Sequence, residues 1–136
     1  SFREGPVLLE CFRSLKIKPD LILFDGHGIA HPRRMGLATH MGIILSKPTI
    51  GCAKARLTGV FKEVGPKKGS SSPLKDDKGK IIGAALRARD NVKPVFVSQG
   101  QSIDLKNAID IVLRCTKRYK IPEPLRYAHH LTITKK

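Results

Sequence analysis

One acid set among glycines, histidines and arginines gives this 136-residue chain its best equipment for chemistry. The run is Asp25-Gly26-His27-Gly28-Ile29-Ala30-His31-Pro32-Arg33-Arg34. A carboxylate holds hard divalent cations, imidazoles move protons near neutral pH, and guanidiniums grip phosphate oxygens. Gly26 and Gly28 allow backbone angles or close approaches that a side chain would forbid. A polar turn closing a core strand would use the same residue types without any chemistry. Glu4 and Lys54 are the other candidates. Glu4 and Asp25 are the two acids best placed to converge, one opening a helix and one ending a strand. Lys54 ends a second short apolar run, where its charge could neutralise a phosphate or orient a water. Carboxylates of this kind favour Mg²⁺ or Mn²⁺, which activate water and offset charge on a phosphorus under attack. No His/Cys set has the spacing of a zinc site.

The elements that must position these residues are legible from the apolar pattern. Leu21-Ile22-Leu23-Phe24 is an uninterrupted apolar run, as in a strand buried on both faces of a parallel sheet. Ligands in such sheets gather outside the carboxyl ends of the strands, which is where Asp25 falls. Before it, Pro6 suits the first position of a helix, and Val7, Leu8, Cys11, Phe12 and Leu15 recur at helical spacing. Glu4 at that helix's edge either serves the helix dipole or binds a metal. After the acidic run, Pro32-Arg33-Arg34 leads into a second helix with Leu37, Ala38, Met41, Ile44 and Leu45 on one face. His40 falls between those positions and reads as structural, while Gly36 and Gly42 permit close packing. Thr49-Ile50-Gly51-Cys52-Ala53 is the next strand, and the βαβ order predicts a parallel pair with a right-handed crossover.

From Gly59 to Gly79 the chain is lysine-rich and polar, with Gly69-Ser70-Ser71-Ser72-Pro73 and the turn Asp76-Asp77-Lys78-Gly79. It reads either as an exposed linker or as a basic loop lying on a nucleic-acid backbone. It contains no P-loop pattern. Lys80–Ala88 and Lys93–Ser98 read as an antiparallel hairpin turning at Arg89-Asp90-Asn91. Ser98-Gln99-Gly100-Gln101 reads as a turn before a third helix with Asp104 as N-cap and an apolar stripe of Leu105, Ala108, Ile109, Val112 and Cys115 or Thr116. Ile121-Pro122-Glu123-Pro124 is an extended stop, and Tyr127–Lys136 a polar, basic tail. Repeats are absent, and the length predicts one domain over residues 1–136.

Lys and Arg number 26 against 11 acids, a formal net charge of +15, which fits a polyanionic partner. A membrane surface fits less well, since no segment opposes a basic face to a clean apolar one. Apolar runs stay short of a membrane span, and the chain shows no secretory leader, so a cytoplasmic location is expected. Cys11, Cys52 and Cys115 sit far apart among apolar neighbours and are expected as buried thiols. With 5% aromatic residues and no Trp, stacking platforms for bases are scarce.

The runs Asp25–Arg34, Gly36-Leu37-Ala38-Thr39-His40 and Pro48–Leu57, with Phe2-Arg3-Glu4-Gly5-Pro6 and Ile121-Pro122-Glu123-Pro124-Leu125-Arg126, together resemble the endonuclease V family. The resemblance covers almost the whole chain. It implies an α/β, ribonuclease-H-like mixed sheet flanked by helices, and a Mg²⁺- or Mn²⁺-dependent endonuclease. The cut would fall at the second phosphodiester 3′ of inosine or deoxyinosine in DNA or RNA, the chemistry of repairing deaminated adenine. It also implies Glu4 and Asp25 as metal ligands, with Lys54 in the active site. Gly26, Gly28 and His31 would line or support the pocket for the altered base, and Arg33 and Arg34 would meet the substrate. Two departures stand out. Gln101 occupies a position where the family carries a histidine. Ser1 falls inside the Phe-Arg-Glu-Gly-Pro motif, and the family's three antiparallel strands and first metal-binding aspartate precede that motif. Leu21–Phe24 is then expected to present an apolar edge, the chain to self-associate, and its cleavage to be weak. A basic nucleic-acid-binding protein without turnover is the alternative expectation.

Overall fold

The computed structural model describes residues 21–115 and the short strand Thr132–Thr134. Glu4, the helix expected from Pro6 and the Ile121–Arg126 motif lie outside the described residues. In chain order the elements are β1 (Leu21–Asp25), α1 (Leu37–Leu45), β2 (Thr49–Ala53), β3 (Ser71–Lys75), β4 (Ile81–Leu86), β5 (Val95–Gln101), α2 (Leu105–Cys115) and β6 (Thr132–Thr134). They form one mixed sheet in the order β3-β4-β5-β2-β1-β6. Among the described residues the one parallel pair is β1 with β2, as the βαβ pattern predicts, with Asp25 opposite Cys52.

The two helices cover opposite faces, which explains why β1 and β2 are apolar without alternation. On one face Leu21, Leu23, Ile50, Cys52, Val95 and Val97 pack against Ala108 and Val112 of α2. On the other, Ile22 and Phe24 pack against Leu37, Ala38 and Met41 of α1. Leu21–Phe24 and Ile50 are at most 1% exposed, so this layer is the core. Asp104 caps α2 as expected, its carboxylate accepting the Asn107 N–H at 2.8 Å. Gly42 lets α1 settle onto the sheet, because a Cβ there would sit 2.5 Å from both Gln101 Cβ and Thr49 Oγ1.

Several expectations need correction. The helix α1 begins at Leu37 and turns Ile44 outward at 46% exposure, so Ile44 is not part of its apolar face. Ser98–Gln101 is not a turn: it completes β5, because Gly51 and Thr49 supply backbone partners that prolong the ladder. Gly59–Gly79 is more ordered than a linker. Ser71–Lys75 pairs with β4, Val60 bridges Lys75, and Val64 and Leu74 are buried. The apolar edge expected at β1 is covered along Leu21–Leu23 by antiparallel β6, part of the stretch that reads as a tail.

Candidate active site and its loop

Asp25 closes β1 and is exposed, the first residue of that strand to leave the core. Side chains alternate along a strand, so Asp25 falls on the face that α2 covers. Its ladder partner is Cys52, and the Gly26 N–H donates to the Cys52 carbonyl at 3.2 Å. Lys54 follows two residues later, exposed, just past the end of β2. Strand spacing of about 5 Å and a rise of about 3.3 Å per residue bring the two charged residues to one corner of the sheet. Among the described residues no ion pair joins them or occupies Asp25.

The loop after Asp25 does not project from the strand end. It folds back across the face that carries α1, and glycines make this possible. The Gly28 N–H donates to Ser98 Oγ at 2.8 Å in a buried bond, and the Ile29 N–H donates to the Gln99 carbonyl at 2.9 Å. A Cβ on Gly28 would lie 2.0 Å from the Gln99 oxygen, and one on Gly51 would lie 2.5 Å from the Gly28 nitrogen. The carbonyls of His27 and Gly28 then accept the N–H groups of Ala38 and Gly36, which ties the loop to the start of α1. Ala30 packs with Leu74 and Ile82. Gly26 is different: its nearest contact for an added Cβ is Leu37 at 3.8 Å, an ordinary distance.

Beyond Ala30 the loop runs toward the far end of the sheet. His31 accepts the Arg33 N–H on Nδ1 at 3.1 Å, while its carbonyl takes the Arg34 N–H at 2.9 Å and the Arg34 guanidinium at 2.7 Å. Arg34 adopts a left-handed φ of 59° and pairs with Asp76 in the β3–β4 turn at 2.5 Å. Asp76 Oδ1 also accepts the N–H groups of Lys78 and Lys80 at 2.9 and 2.8 Å. Asp76 is held below the usual carboxylate range chiefly by the Lys80 N–H, which desolvation opposes, with Arg34 and the Lys78 N–H adding to the lowering. Burial lowers His31, and the neighbouring Arg33 and Arg34 charges lower it further.

The sequence-derived candidates therefore divide. Asp25 and Lys54 share a corner, and Gly26 begins there. Gly28 is a structural contact in the middle of the sheet. Arg34 is committed to Asp76 at the other end, with His31 and Arg33 on the way to it. His27, by sequence no more than a source of protons, joins the first group. Burial lowers its pKa, a hydrogen bond with the Ala55 backbone and the Asp25 charge raise it, and His31 lowers it. Its Nδ1 is buried with no hydrogen-bond partner among the described residues. Gln101 pairs with Thr49, level with Ile22, and so stands at the opposite end of the sheet from Asp25. Sequence reasoning missed Ser98 and Asp76. Ser98 hides in an apolar strand, but Asp76-Asp77-Lys78-Gly79 carries a turn signal.

Asp25 offers the hard oxygen that Mg²⁺ or Mn²⁺ prefers. Among the described residues, no three His, Cys, Asp or Glu side chains gather so as to hold a metal ion. The described residues thus fit a metal by donor type at one position and do not complete its ligand set.

The chain is thus an α/β protein with a mixed sheet, an exposed carboxylate and lysine at the carboxyl ends of two parallel strands, and a net charge of +15. The comparisons narrow that class. The family model for endonuclease V matches residues 1–130, and the chain belongs to that family. It is 57% identical over 129 residues to the endonuclease V of Dictyoglomus turgidum, covering 95% of this chain and 56% of that protein. To the endonuclease V of Methanothrix thermoacetophila it is 53% identical over 133 residues, covering 98% and 59%. Among solved structures it is similar to the Streptomyces avermitilis endonuclease V, with a TM-score of 0.90 and 44% identity over 94% of this chain and 56% of that one. It is also similar to Ciona intestinalis endonuclease V in complex with a 23mer DNA containing an inosine followed by a ribo-adenosine. There the TM-score is 0.78 and the identity 29%, over 94% of this chain and 61% of that one. The chain thus spans a little over half the length of the relatives it matches.

Proposed function

We propose that this chain acts as an endonuclease on inosine-containing nucleic acid, cutting at the second phosphodiester 3′ of the altered base. One observation carries the reading: the exposed Asp25 carboxylate and Lys54 share a corner of the sheet in a chain of the endonuclease V family. Asp25 and Glu4 would hold Mg²⁺ or Mn²⁺, which when bound supplies an activated water and charge compensation at phosphorus. Lys54 faces the scissile phosphate and stabilises the charge that accumulates on its oxygens. Gly26, with no side chain at the start of the loop, leaves room for an extruded base, and His27 braces that wall through Ala55. Gly28 and Ser98 fix the loop's height above the sheet. His31 and Arg33 carry the loop away from that corner, and Arg34 anchors its far end on Asp76. No helix among the described residues is long and apolar enough to cross a membrane, and a cytoplasmic site of action fits the proposed substrate.

A non-catalytic nucleic-acid-binding role is the second reading, favoured by the net charge of +15. A labelled duplex with one deoxyinosine, incubated with Mg²⁺ or Mn²⁺ and separately with a chelator, decides between them. Metal-dependent scission 3′ of the inosine, absent from the matched adenine duplex, is the expected result. Binding without scission under every metal condition would favour the second reading.

A further inference from the structure

Two basic turns of separate sequence origin are knitted together at the end of the sheet that carries Asp25. The β4–β5 turn projects there because Leu86 pairs with Val95, while Phe96 pairs with Ala53 beside Lys54. The segment 64–70 is tied to it at many points. The Asn91 N–H donates to the Pro66 carbonyl at 2.8 Å, and the Lys68 N–H to Asp90 Oδ1 at 2.6 Å. Gly69 and Ser70 exchange backbone bonds with Arg87, each 2.8 Å. The Arg87 guanidinium is spent internally on the carbonyls of Gly65, Val64 and Val92. What the knot presents outward is Lys67, Arg89 and Lys93, all exposed. Lys54, exposed just past Ala53, continues that line toward Asp25. Among the described residues the acids toward this end are Asp25, the exposed Glu63 and Asp90, and an Asp90 oxygen already accepts the Lys68 N–H.

We infer that this double turn, presenting Lys67, Arg89 and Lys93, is a docking platform for the phosphate backbone flanking the cleaved bond. The inference rests on the nucleic-acid reading above and adds the surface that the backbone follows. A rigid array of like charges has no advantage in a solvated face, where their repulsion is unfavourable. A polyanion relieves that repulsion, and a platform already fixed by backbone bonds loses little freedom when it binds. Strands β5 and β4 lie two and three places from β1, roughly 10–15 Å at about 5 Å per strand. At about 3.4 Å per nucleotide along a duplex, the platform meets phosphates about three to four nucleotides from the bond at Asp25.

The test compares the triple variant Lys67→Gln/Arg89→Gln/Lys93→Gln with a control, Lys75→Gln/Lys78→Gln/Lys80→Gln, at the opposite end of the sheet. Fluorescence anisotropy with an inosine-free duplex across a salt series reads backbone binding alone, and thermal unfolding confirms that both variants fold. The platform variant is expected to bind at least ~10-fold more weakly at low salt, with a log–log slope shallower by roughly 2–3, about 0.9 for each phosphate it no longer neutralises. The control should keep most of both. In cleavage of the inosine duplex, the platform variant should raise KM and leave kcat unchanged. Equal or greater weakening by the control would overturn the platform. Salt-insensitive binding by the unaltered chain would overturn the nucleic-acid reading and the platform together. Normal binding without inosine cleavage would overturn the endonuclease reading and leave the platform standing.

Discussion

Gly26 and Gly28 sit two residues apart and look alike in the sequence, but they answer to different physics. Gly28 has no room for a methyl group, with the Gln99 oxygen 2.0 Å from where its Cβ would lie. Gly28→Ala must displace the loop or break its bond to Ser98, and should cost about 1–3 kcal/mol or more in a denaturant titration. Gly26 has ordinary space around it, so Gly26→Ala should leave stability within ~0.5 kcal/mol of the parent. If Gly26 borders the base, the same substitution should still depress cleavage of the inosine duplex by raising KM. An unchanged KM would remove Gly26 from the site. The sequence announced both glycines and the acid before them, because an apolar run that stops at an acid and glycines marks the end of a buried strand. It could not separate a packing glycine from an open one, since that depends on β5, seventy residues away in the Gly28–Ser98 contact.

At the scale of elements, the loop from Gly26 to Arg34 is pinned at one end by Ser98 and at the other by Asp76 in the β3–β4 turn. Asp76 has its carboxyl pKa lowered below 3.8 by the Lys80 N–H and, among other contacts, by Arg34. A depressed carboxylate pKa contributes stability in full above the unfolded value, and that contribution disappears as pH falls through the folded value. Asp76→Asn should therefore lower the thermal midpoint at pH 7, and the two midpoints should converge as pH drops below about 4. Midpoints that stay equally separated at low pH would mean the carboxylate charge is not what matters. Strand β5 shows why part of this was illegible. Ser98-Gln99-Gly100-Gln101 carries turn-type residues, but pairing with β2 overrides local preference, and Gln101 is thereby carried away from the corner where Asp25 stands.

For the molecule as a whole, the βαβ core, the hairpin and the basic character followed from periodicity and charge. The pairing of β6 with β1 did not, because three residues of a polar tail carry no signal comparable to a buried strand. That pairing makes a prediction: removing Thr132–Lys136 should uncover Leu21–Leu23 and raise the sedimentation-detected fraction of self-associated chain. No change on removal would mean that β6 does not shield the edge in solution. The central claim, that the Asp25 corner cuts nucleic acid beside inosine, is tested most directly by cleavage of a labelled inosine duplex by the full chain and by Asp25→Ala, with Mn²⁺ or Mg²⁺ present and both proteins shown to be folded. Inosine-dependent scission by the parent, and none by Asp25→Ala, is the expected result. Scission that survives the substitution, or is equal on the adenine duplex, would contradict it.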